Sequence, residues 1–420
     1  MKRNSTMLRL AAIASASALA LAACGGGDSD DEGDDNTAKA KGDGVFTVGS
    51  LLPQTGSLAF LGPPEFAGVD LAVKEINEAG GVLGKDAKHV KGDSGDTDSG
   101  IAPDETDKLL KAGADVIVGA ASSGVSMTVI DKILSAGVVQ FSPANTSTDF
   151  DNGKYGEPDL YFRTAPSDIL QGAVVANLLN QEGRKNVALL SRQDAYGETL
   201  VEEITKGLEA GGSKVAATVY YGEKATNYDS QVAEVADAKP DAIVLIAFEE
   251  TTSIIPKLVE SGAGPKDVPT YFVDGNTADY SGKLDDGVLE GTKGTIPGAE
   301  TSDDFKDRLA TVDPNLTDYS YAAESYDAVI VSALAAEIAK SDAGSDIAKE
   351  IPGVTEGGEK CSTYADCLEL VKAGTDIDYD GVSGPIELGE TGSPTSASIG
   401  IYEYDATNKI KPVDYIAGDI

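Results

Sequence analysis

Residues 187–221 read VALLSRQDAYGETLVEEITKGLEAGGSKVAATVYY. The apolar run from Val187 to Ser191 predicts a buried strand, and the segment from Gly197 to Ala210 has the apolar spacing of a helix. A second apolar run, Val215 to Tyr221, predicts the next strand. A strand, a helix and a strand in this order are typical of an α/β protein with a parallel sheet.

The same alternation continues on both sides of this stretch. On the N-terminal side, the predicted elements are strands at 45–52, 116–119 and 138–141 and helices at 65–78 and 124–135. A helix is predicted at 168–181, immediately before this stretch. After it, the predicted elements are helices at 228–236, 251–260 and 319–340 and strands at 242–247, 270–273 and 398–404. Two successive series of this kind predict two lobes of similar build, each with a parallel sheet.

Composition restricts the class of function. Apolar residues make up 41% of the chain, which is ample for a core, and the formal net charge is −37. A chain this acidic is repelled by phosphate backbones and anionic lipid, so nucleic acid is discounted as a partner. No Gly-x-Ser-x-Gly elbow, phosphate-binding loop or metal cluster is found, so we predict no catalytic residue, cofactor or metal site. The single histidine, His89, is predicted to lie at the surface.

The N-terminus has the three parts of a secretory signal. Lys2, Arg3 and Arg9 precede an alanine-rich apolar run from Leu10 to Ala23, which is too short to span a bilayer comfortably. The sequence LAAC, ending at Cys24, resembles a bacterial lipobox. The resemblance implies that residues 1–23 are a lipoprotein signal peptide and that Cys24 carries acyl chains such as palmitate, which anchor the protein outside the cytoplasm. The alternative is an ordinary signal peptide with an incidental cysteine.

Residues 24–44 are rich in glycine and acid and contain almost nothing apolar. Such a segment cannot offset the entropy of its own ordering, so we predict a flexible tether. The two other cysteines, Cys361 and Cys367, are predicted to form a local disulfide, as is typical of exported proteins. A redox or zinc pair fits the spacing of five intervening residues poorly.

Ligands of open α/β sheets gather at the carboxyl ends of strands, where helices begin. We therefore seek candidate ligand residues just after the predicted strands. The strand at 116–119 leads into Ala121-Ser122-Ser123-Gly124, and the next strand leads into Ser142-Pro143-Ala144-Asn145-Thr146-Ser147. Their hydroxyl and main-chain groups suit a carboxylate. Each serine alone is as plausible a helix cap as a ligand contact.

The second series contributes different groups at the corresponding positions. Asp194-Ala195-Tyr196-Gly197 follows one strand, and Asp274-Gly275 follows another. A carboxylate at a cleft can receive an ammonium group, and a tyrosine can donate a hydrogen bond while its ring covers an apolar group. Taken singly, these residues are mostly turn formers.

Several motifs occur in one order along residues 45–420. They are PQTG at 53–56, Gly62, GVDLAVKEINEAGGVLGK at 68–85, VG at 118–119 with SS at 122–123, FRT at 162–164 followed by Asp168, DAYG at 194–197, SYDA at 325–328 and YDGVSGP at 379–385. With these motifs the chain resembles the type I periplasmic binding proteins that capture branched-chain amino acids for ATP-driven importers.

The resemblance implies a clamp of two lobes joined by three crossover strands and closing on a ligand between them. Lobe 1 is then 45–163 plus 297–380, and lobe 2 is 166–293 plus 385–420. The hinges lie near 163–166, 294–297 and 379–384.

The resemblance also assigns roles to residues of this chain. Ser123, Ala144 and Thr146 match positions that hold the amino-acid carboxylate, Tyr196 matches a tyrosine of the closing lobe, and Asp274 matches the acid that receives the ammonium. Leu61 and Phe248 fall near positions that line the side-chain pocket, with Phe60 a neighbour. The large aromatic that the family has near Leu61 is missing, and this chain has no tryptophan.

The leading hypothesis is a monomeric, non-enzymatic receptor that delivers an amino acid to the permease subunits of an ABC importer. Rival hypotheses keep the fold but change the ligand, to an amide, urea or an aromatic acid. Another class is a sensor that reports its ligand to a separate signalling partner.

Overall fold

Five short strands form the first sheet of the structure, a computed structural model that describes residues 42–152 and 160–420. The strands are β1 (Thr47–Leu52), β2 (Lys88–Asp93), β3 (Val116–Gly119), β4 (Val139–Ser142) and β5 (Tyr161–Arg163), and all pair in parallel. Three helices connect them, namely α1 (Gly62–Glu78), α2 (Ala102–Lys111) and α3 (Ser123–Ser135). Strands β1, β3 and β4 are buried along their whole length, as expected for a parallel sheet covered on both faces.

The second sheet repeats this plan. Its helices are α4 (Asp168–Gln181), α5 (Ala195–Ala210), α6 (Asp229–Asp237) and α7 (Thr251–Glu260). Its parallel strands are β6 (Asn186–Arg192), β7 (Lys214–Tyr221), β8 (Ala242–Ile246), β9 (Thr270–Phe272) and β10 (Lys293–Pro297). Helices α4 and α5 pack closely because Gly207 has no side chain. A Cβ atom there would lie 2.5 Å from the Cβ of Ala176.

The next part of the chain returns to the first sheet. It contains α8 (Asp303–Leu309), α9 (Ala322–Ala339), α10 (Gly344–Val354), β11 (Glu359–Cys361), α11 (Tyr364–Ala373), β12 (Ile377–Gly381) and β13 (Gly384–Pro385). The three strands form a small sheet of their own. Helix α9 is mostly apolar and is buried on every side from Ala322 to Ala336, as expected for a helix enclosed within a core. It packs on α1 in the core of the first sheet.

The chain ends in an antiparallel hairpin of β14 (Ser396–Tyr404) and β15 (Ile410–Asp419), which extends the second sheet beside β10. The spatial order is β2-β1-β3-β4-β5 in the first sheet and β15-β14-β10-β9-β8-β6-β7 in the second. The five parallel strands of each sheet therefore have the same spatial order, 2-1-3-4-5. Successive strands are added first to one side and then to the other side of the first strand, so the strand order reverses there. Ligands of doubly wound sheets bind at that reversal point.

Three chain segments link the two sheets, and they are named the crossover segments below. Residues 163–167 lead from β5 to α4, residues 297–302 lead from β10 to α8, and residues 382–395 lead towards β14. These connections and the parallel sheets confirm the predicted fold class. The lobe boundaries at 45–163 plus 297–380 and at 166–293 plus 385–420 stay a prediction.

Most predicted elements are present within one or two residues of their expected bounds. Helices α4 and α7 and strand β3 match completely. The expectation for His89 was wrong, because only 8% of its side chain is exposed. The Cys361–Cys367 disulfide is present, with Cα atoms 5.4 Å apart. Among the helices of residues 42–152 and 160–420, none has both the length and the apolar character needed to cross a bilayer. The predicted signal peptide and Cys24 lie outside these residues.

Candidate ligand-binding site

The carboxyl ends of both parallel sheets meet at one cavity of about 270 Å³. The first sheet contributes the segments after β1, β3 and β4, and the second contributes those after β6, β8 and β9. Residue Tyr321, just before α9, completes the wall. The lining residues are Leu58, Leu61, Ala121, Ser122, Ser123, Ala144, Tyr196, Phe248, Asp274, Gly275 and Tyr321.

The two serines after β3 have different roles in the fold. Ser122 caps α3, since its hydroxyl accepts a hydrogen bond from the backbone N–H of Val125 at 3.4 Å. Ser123 opens the helix, and its hydroxyl accepts from the backbone N–H of Ser147 at 3.4 Å. Because that bond uses a lone pair, the Ser123 hydroxyl keeps its own hydrogen for a ligand. The positive end of the α3 dipole lies at the same wall, which suits a carboxylate.

The segment after β4 places only part of its polar groups at the cavity. Ala144 lines the wall. The side-chain amide of Asn145 donates to the backbone oxygens of Ala120 and Ala121, at 3.0 and 2.9 Å, and therefore holds the two loops together. Thr146 is also buried. Its hydroxyl opposes the rise that burial causes in the pKa of Asp168. Asn145 and Thr146 thus do not line the cavity as the sequence predicted.

On the opposite wall, Asp194 caps α5 and thereby fixes Tyr196 in the first turn. Its carboxylate accepts from the backbone N–H of Gly197 at 2.8 Å and from the guanidinium of Arg192 at 2.5 Å. A side chain at Gly197 would collide with the backbone, since a Cβ atom would lie 2.2 Å from the oxygen of Arg192. The motif Asp194-Ala195-Tyr196-Gly197 is therefore a compact turn that delivers one tyrosine to the cavity.

Asp274 is the acid at this wall, and only 7% of its surface is exposed. One carboxylate oxygen accepts from the hydroxyl of Tyr196 at 2.5 Å and from the amide of Gln171 at 3.0 Å. The other accepts from the hydroxyl of Tyr321 at 2.7 Å. Burial raises the pKa of Asp274, and these donors oppose the rise because they stabilise the charged form.

Asp168 supports the site from beneath. It is completely buried, and burial raises its pKa to about 8, while the hydroxyl of Thr199, which donates at 2.7 Å, opposes the rise. The negative charge of Asp274 adds to the raised pKa of Asp168. The donors around Asp274 favour placing the negative charge there.

An aromatic stack forms the side wall. The ring of Tyr196 stacks on Phe248, with centroids 5.6 Å apart, and the guanidinium of Arg192 lies 3.6 Å from the Phe248 centroid. Arg192 also pairs with Asp194 and with Glu250, at 2.5 and 2.8 Å. Its charge is therefore already matched within the protein, so we do not assign it a ligand carboxylate.

Tyr321 and Leu58 line the cavity but were missed in the sequence. Tyr321 has a left-handed backbone, with φ of 58°, which is unusual for a bulky residue. Such conformations cost about 1–3 kcal/mol and cluster at ligand sites. The only signal was position, because Tyr321 immediately precedes a long apolar helix. Leu58 lies in the loop after β1, between Gly56 and Leu61, and that position was a usable signal.

The loop that carries Leu61 separates two cavities. Leu61 faces the cavity described above, whereas Phe60 lines a larger one of about 1370 Å³ together with Pro63, Pro64 and Tyr280. The predicted neighbour Phe60 therefore belongs to a different surface from Leu61. Adjacent residues of the loop point to opposite sides of it, and no sequence pattern indicates which of the two faces the smaller cavity.

A Ser-His-Asp arrangement occurs away from this cavity. The ring of His89 lies 2.7 Å from the hydroxyl of Ser50 and 2.8 Å from the carboxylate of Asp70. Ser50 is completely buried within β1, so a substrate has no access to its hydroxyl. The arrangement ties β1, β2 and α1 together. Across residues 42–152 and 160–420, no group of three or more His, Cys, Asp and Glu side chains is placed to hold a metal ion.

The two matching sheets and the shared cavity define a two-lobed α/β ligand-binding protein. The chain belongs to the periplasmic binding protein family, which it matches over residues 45–409. Members of this family are solute-binding proteins.

Two curated relatives span most of the chain. A Leu/Ile/Val-binding protein of Rhizobium johnstonii is 25% identical over 371 residues, which are 86% of this chain and 92% of that protein. The chemotactic signal transduction system substrate-binding protein of Halobacterium salinarum is 26% identical over 353 residues, which are 81% of this chain and 83% of that protein.

Solved structures share the fold. The branched-chain amino acid transporter substrate-binding protein of Streptococcus pneumoniae, in complex with isoleucine, has a TM-score of 0.72 at 20% identity and covers 90% of this chain and 100% of its own. A solute-binding protein of R. palustris in complex with benzoate has a TM-score of 0.70 at 18% identity and covers 90% and 98%. The predicted family and fold are thereby confirmed.

Proposed function

We propose that this protein is a lipid-anchored, extracytoplasmic receptor that captures an amino acid, branched-chain or related, between two lobes and delivers it to an ABC importer. Lobe 1 is 45–163 plus 297–380, and lobe 2 is 166–293 plus 385–420. On this proposal the protein binds its ligand without transforming it and needs no cofactor or metal.

The observation that carries the proposal is the pairing of two opposite charge preferences in one cavity. The first sheet supplies the N-terminus of α3 with the Ser123 hydroxyl, which suits a carboxylate. The second sheet supplies the buried carboxylate of Asp274, which suits an ammonium. A molecule that carries both groups close together is an amino acid.

The walls between these groups fit a small aliphatic side chain. Leu58, Leu61 and the ring of Phe248 are buried and apolar. Burial of a Val, Leu or Ile side chain contributes roughly 1.5–3 kcal/mol. Relatives named for leucine, isoleucine and valine support the same ligand class.

Substitution of Asp274 tests the proposal. Calorimetry against all amino acids is expected to give binding by leucine, isoleucine or valine. Asp274→Asn is expected to weaken that binding about 100-fold, because a buried ammonium loses its partner. The control is Asp279→Asn, an exposed acid whose carboxylate accepts from the backbone N–H of Ser281. Unchanged affinity in Asp274→Asn overturns the assignment.

Aromatic acids are the second candidate ligands, because a structural neighbour holds benzoate. Benzoate has a carboxylate but no ammonium. A protein that prefers aromatic acids is therefore expected to keep or gain affinity in Asp274→Asn, in contrast to one that binds amino acids. Amides and urea belong in the same calorimetric panel.

The proposed anchor and partner rest on the N-terminal sequence. Acylation at Cys24, as the lipobox resemblance implies, keeps the receptor beside a permease in the same membrane, and the acidic tether 24–44 gives it reach. Cys24→Ala is expected to move the protein from the membrane fraction to the soluble fraction. Wild-type protein in the soluble fraction contradicts the anchor.

Sensing is a second candidate role, because a relative is named as part of a chemotactic system. We propose a monomer, and either role requires a partner that recognises the ligand-bound form. Uptake of labelled leucine in cells with and without the protein distinguishes transport from sensing.

A further inference from the structure

The hydrogen bond between Tyr321 and Asp274 joins the two parts of the molecule. Tyr321 precedes α9, which packs on α1 in the core of the first sheet, whereas Asp274 follows β9 of the second sheet. The Tyr321 hydroxyl donates to one carboxylate oxygen at 2.7 Å, and the Tyr196 hydroxyl donates to the other at 2.5 Å. Both residues that hold Asp274 in this way line the cavity, but only Tyr321 comes from the other sheet.

The backbone fixes the direction of the Tyr321 side chain. Residue 321 has φ of 58° and ψ of 10°, and α9 begins at the next residue. The residue is 2% exposed. A residue held in a sparsely populated conformation at the start of a buried helix has little freedom to reorient. The Tyr321 hydroxyl can therefore shift only together with α9.

The first two turns of α9 also contact all three crossover segments. The hydroxyl of Thr164 donates to the backbone oxygen of Glu324 at 3.0 Å. Gly298 lies against the Glu324 carboxyl, since a Cβ atom at residue 298 would be 2.6 Å from its Oε1. The carboxylate of Asp327 accepts from the backbone N–H groups of Val382 and Ser383 at 3.2 and 2.7 Å.

The crossover segments also converge in space on Glu324. A separate cavity of about 330 Å³ is lined by Glu324 and by members of each segment, among them Thr164, Gly298 and Ser383. Motion of one lobe against the other changes the backbone angles of such segments. Residues 321–327 thus connect the ligand cavity at one end with the three crossover segments at the other.

We propose that Tyr321 is a positioning residue that couples capture of the ligand to closure of the lobes. Its hydroxyl orients the Asp274 carboxylate from the opposite lobe, and residues 322–327 transmit its position to the three crossover segments. The inference rests on the proposed function for the identity of the ligand but not for the contact between the lobes. Tyr196 orients Asp274 from its own lobe and has no such coupling.

The test measures the distance between the lobes. Spin labels at Lys111→Cys and Glu209→Cys, both exposed and one beside each sheet, report open and closed populations in protein in which Cys24 is replaced by serine. Tyr321→Phe keeps the ring and removes the hydroxyl. It is expected to lower the closed fraction both without ligand and at saturating leucine, and to weaken leucine binding about tenfold.

Two further variants make the result specific. Tyr319→Phe removes a hydroxyl that donates to the backbone oxygen of Leu316, and it is expected to leave the closed fraction unchanged. Thr164→Val removes the contact between the first crossover segment and α9. It is expected to shift the closed fraction with less than about a threefold change in affinity, and it tests the coupling even where Tyr321→Phe fails to fold.

Closed fractions in Tyr321→Phe and Thr164→Val that equal those of the wild type overturn the coupling. Failure of the wild type to bind any amino acid overturns the proposed function instead. The comparison of ligand-free closed fractions still decides the role of Tyr321 in that case.

Discussion

The hydroxyl of Tyr196 stands between Asp274, to which it donates at 2.5 Å, and the backbone N–H of Gly275, from which it accepts at 3.2 Å. Capture of an ammonium requires Asp274 in its charged form, and burial raises the pKa of that carboxyl. The tyrosine hydroxyl counters this effect because it stabilises the charge. On the proposed function, we therefore expect Tyr196 to extend ligand binding to lower pH.

Tyr196→Phe is expected to raise the pKa of Asp274 further, since the carboxylate loses a donor. Binding of leucine then fails at a higher pH than in the wild type as the solution is acidified. Calorimetry between pH 5 and 9 measures this limit, and at neutral pH we expect about a tenfold loss from the missing hydrogen bond. Asp168 faces the same acid and is unchanged in both proteins.

Tyr220→Phe serves as the control, because Tyr220 is half-buried and does not line the cavity. A uniform loss of affinity in Tyr196→Phe, with the wild-type pH profile, contradicts the electrostatic role of the hydroxyl.

Ser122 and Ser123 are adjacent, yet their alanine variants are expected to fail in different measurements. Ser122→Ala removes the cap of α3 and is expected to lower the free energy of unfolding by about 1 kcal/mol in urea denaturation. Ser123→Ala removes a donor to the ligand carboxylate and is expected to weaken binding about tenfold in calorimetry. A loss of affinity in Ser122→Ala and a loss of stability in Ser123→Ala would instead show that Ser122 holds the ligand.

Much of the fold was predictable because its signals are local. Helices α4 and α7 follow from apolar spacing, and β3 follows from a buried run. Strand β2, with sequence KHVKGD, was missed because it carries polar residues along most of its length at the edge of the sheet. Parallel pairing with β1, rather than the composition of β2, makes this segment a strand.

Site residues that come after strand ends could be predicted, whereas a site residue that tertiary packing brings to the cavity could not. Ser123, Tyr196 and Asp274 each lie within four residues of the end of a strand. The rule that ligands gather at the carboxyl ends of parallel strands therefore predicted them. Tyr321 precedes a helix that is far from any predicted strand end, and its contact with Asp274 spans 47 residues of sequence. No short-range pattern indicates a left-handed tyrosine, so only the three-dimensional structure reveals it.

Leu61 occupies the place where a larger aromatic residue was expected, and it is predicted to set the size of the ligand. Leu61→Phe narrows a cavity of about 270 Å³, and added volume in a packed site costs about 1–3 kcal/mol. We expect at least a fivefold loss for leucine and a smaller loss for alanine in calorimetry. Phe60→Leu, which alters the other cavity, is the control. Equal losses for leucine and alanine place Leu61 outside the side-chain pocket.

Glu324 gives the protein a buried acid whose protonation stabilises the fold. Burial raises its pKa to about 8, and Asp327 adds to the rise. Between its unfolded pKa of about 4.3 and the folded value, the native state holds a proton that the unfolded chain releases. This contribution is complete below the unfolded pKa and is lost as the pH rises, by at most about 1.4 kcal/mol per pH unit.

Glu324→Gln is therefore expected to gain stability relative to the wild type as the pH rises from 5 to 8, because glutamine stays neutral. Urea denaturation at each pH measures the difference, which should level off above pH 8. Glu300→Gln is the matched control, since Glu300 is an exposed acid that lines a further surface cavity together with Glu324. Parallel curves for the wild type and Glu324→Gln would mean that Glu324 is ionised in the native state, and a buried charge at that position would need a cation beside it.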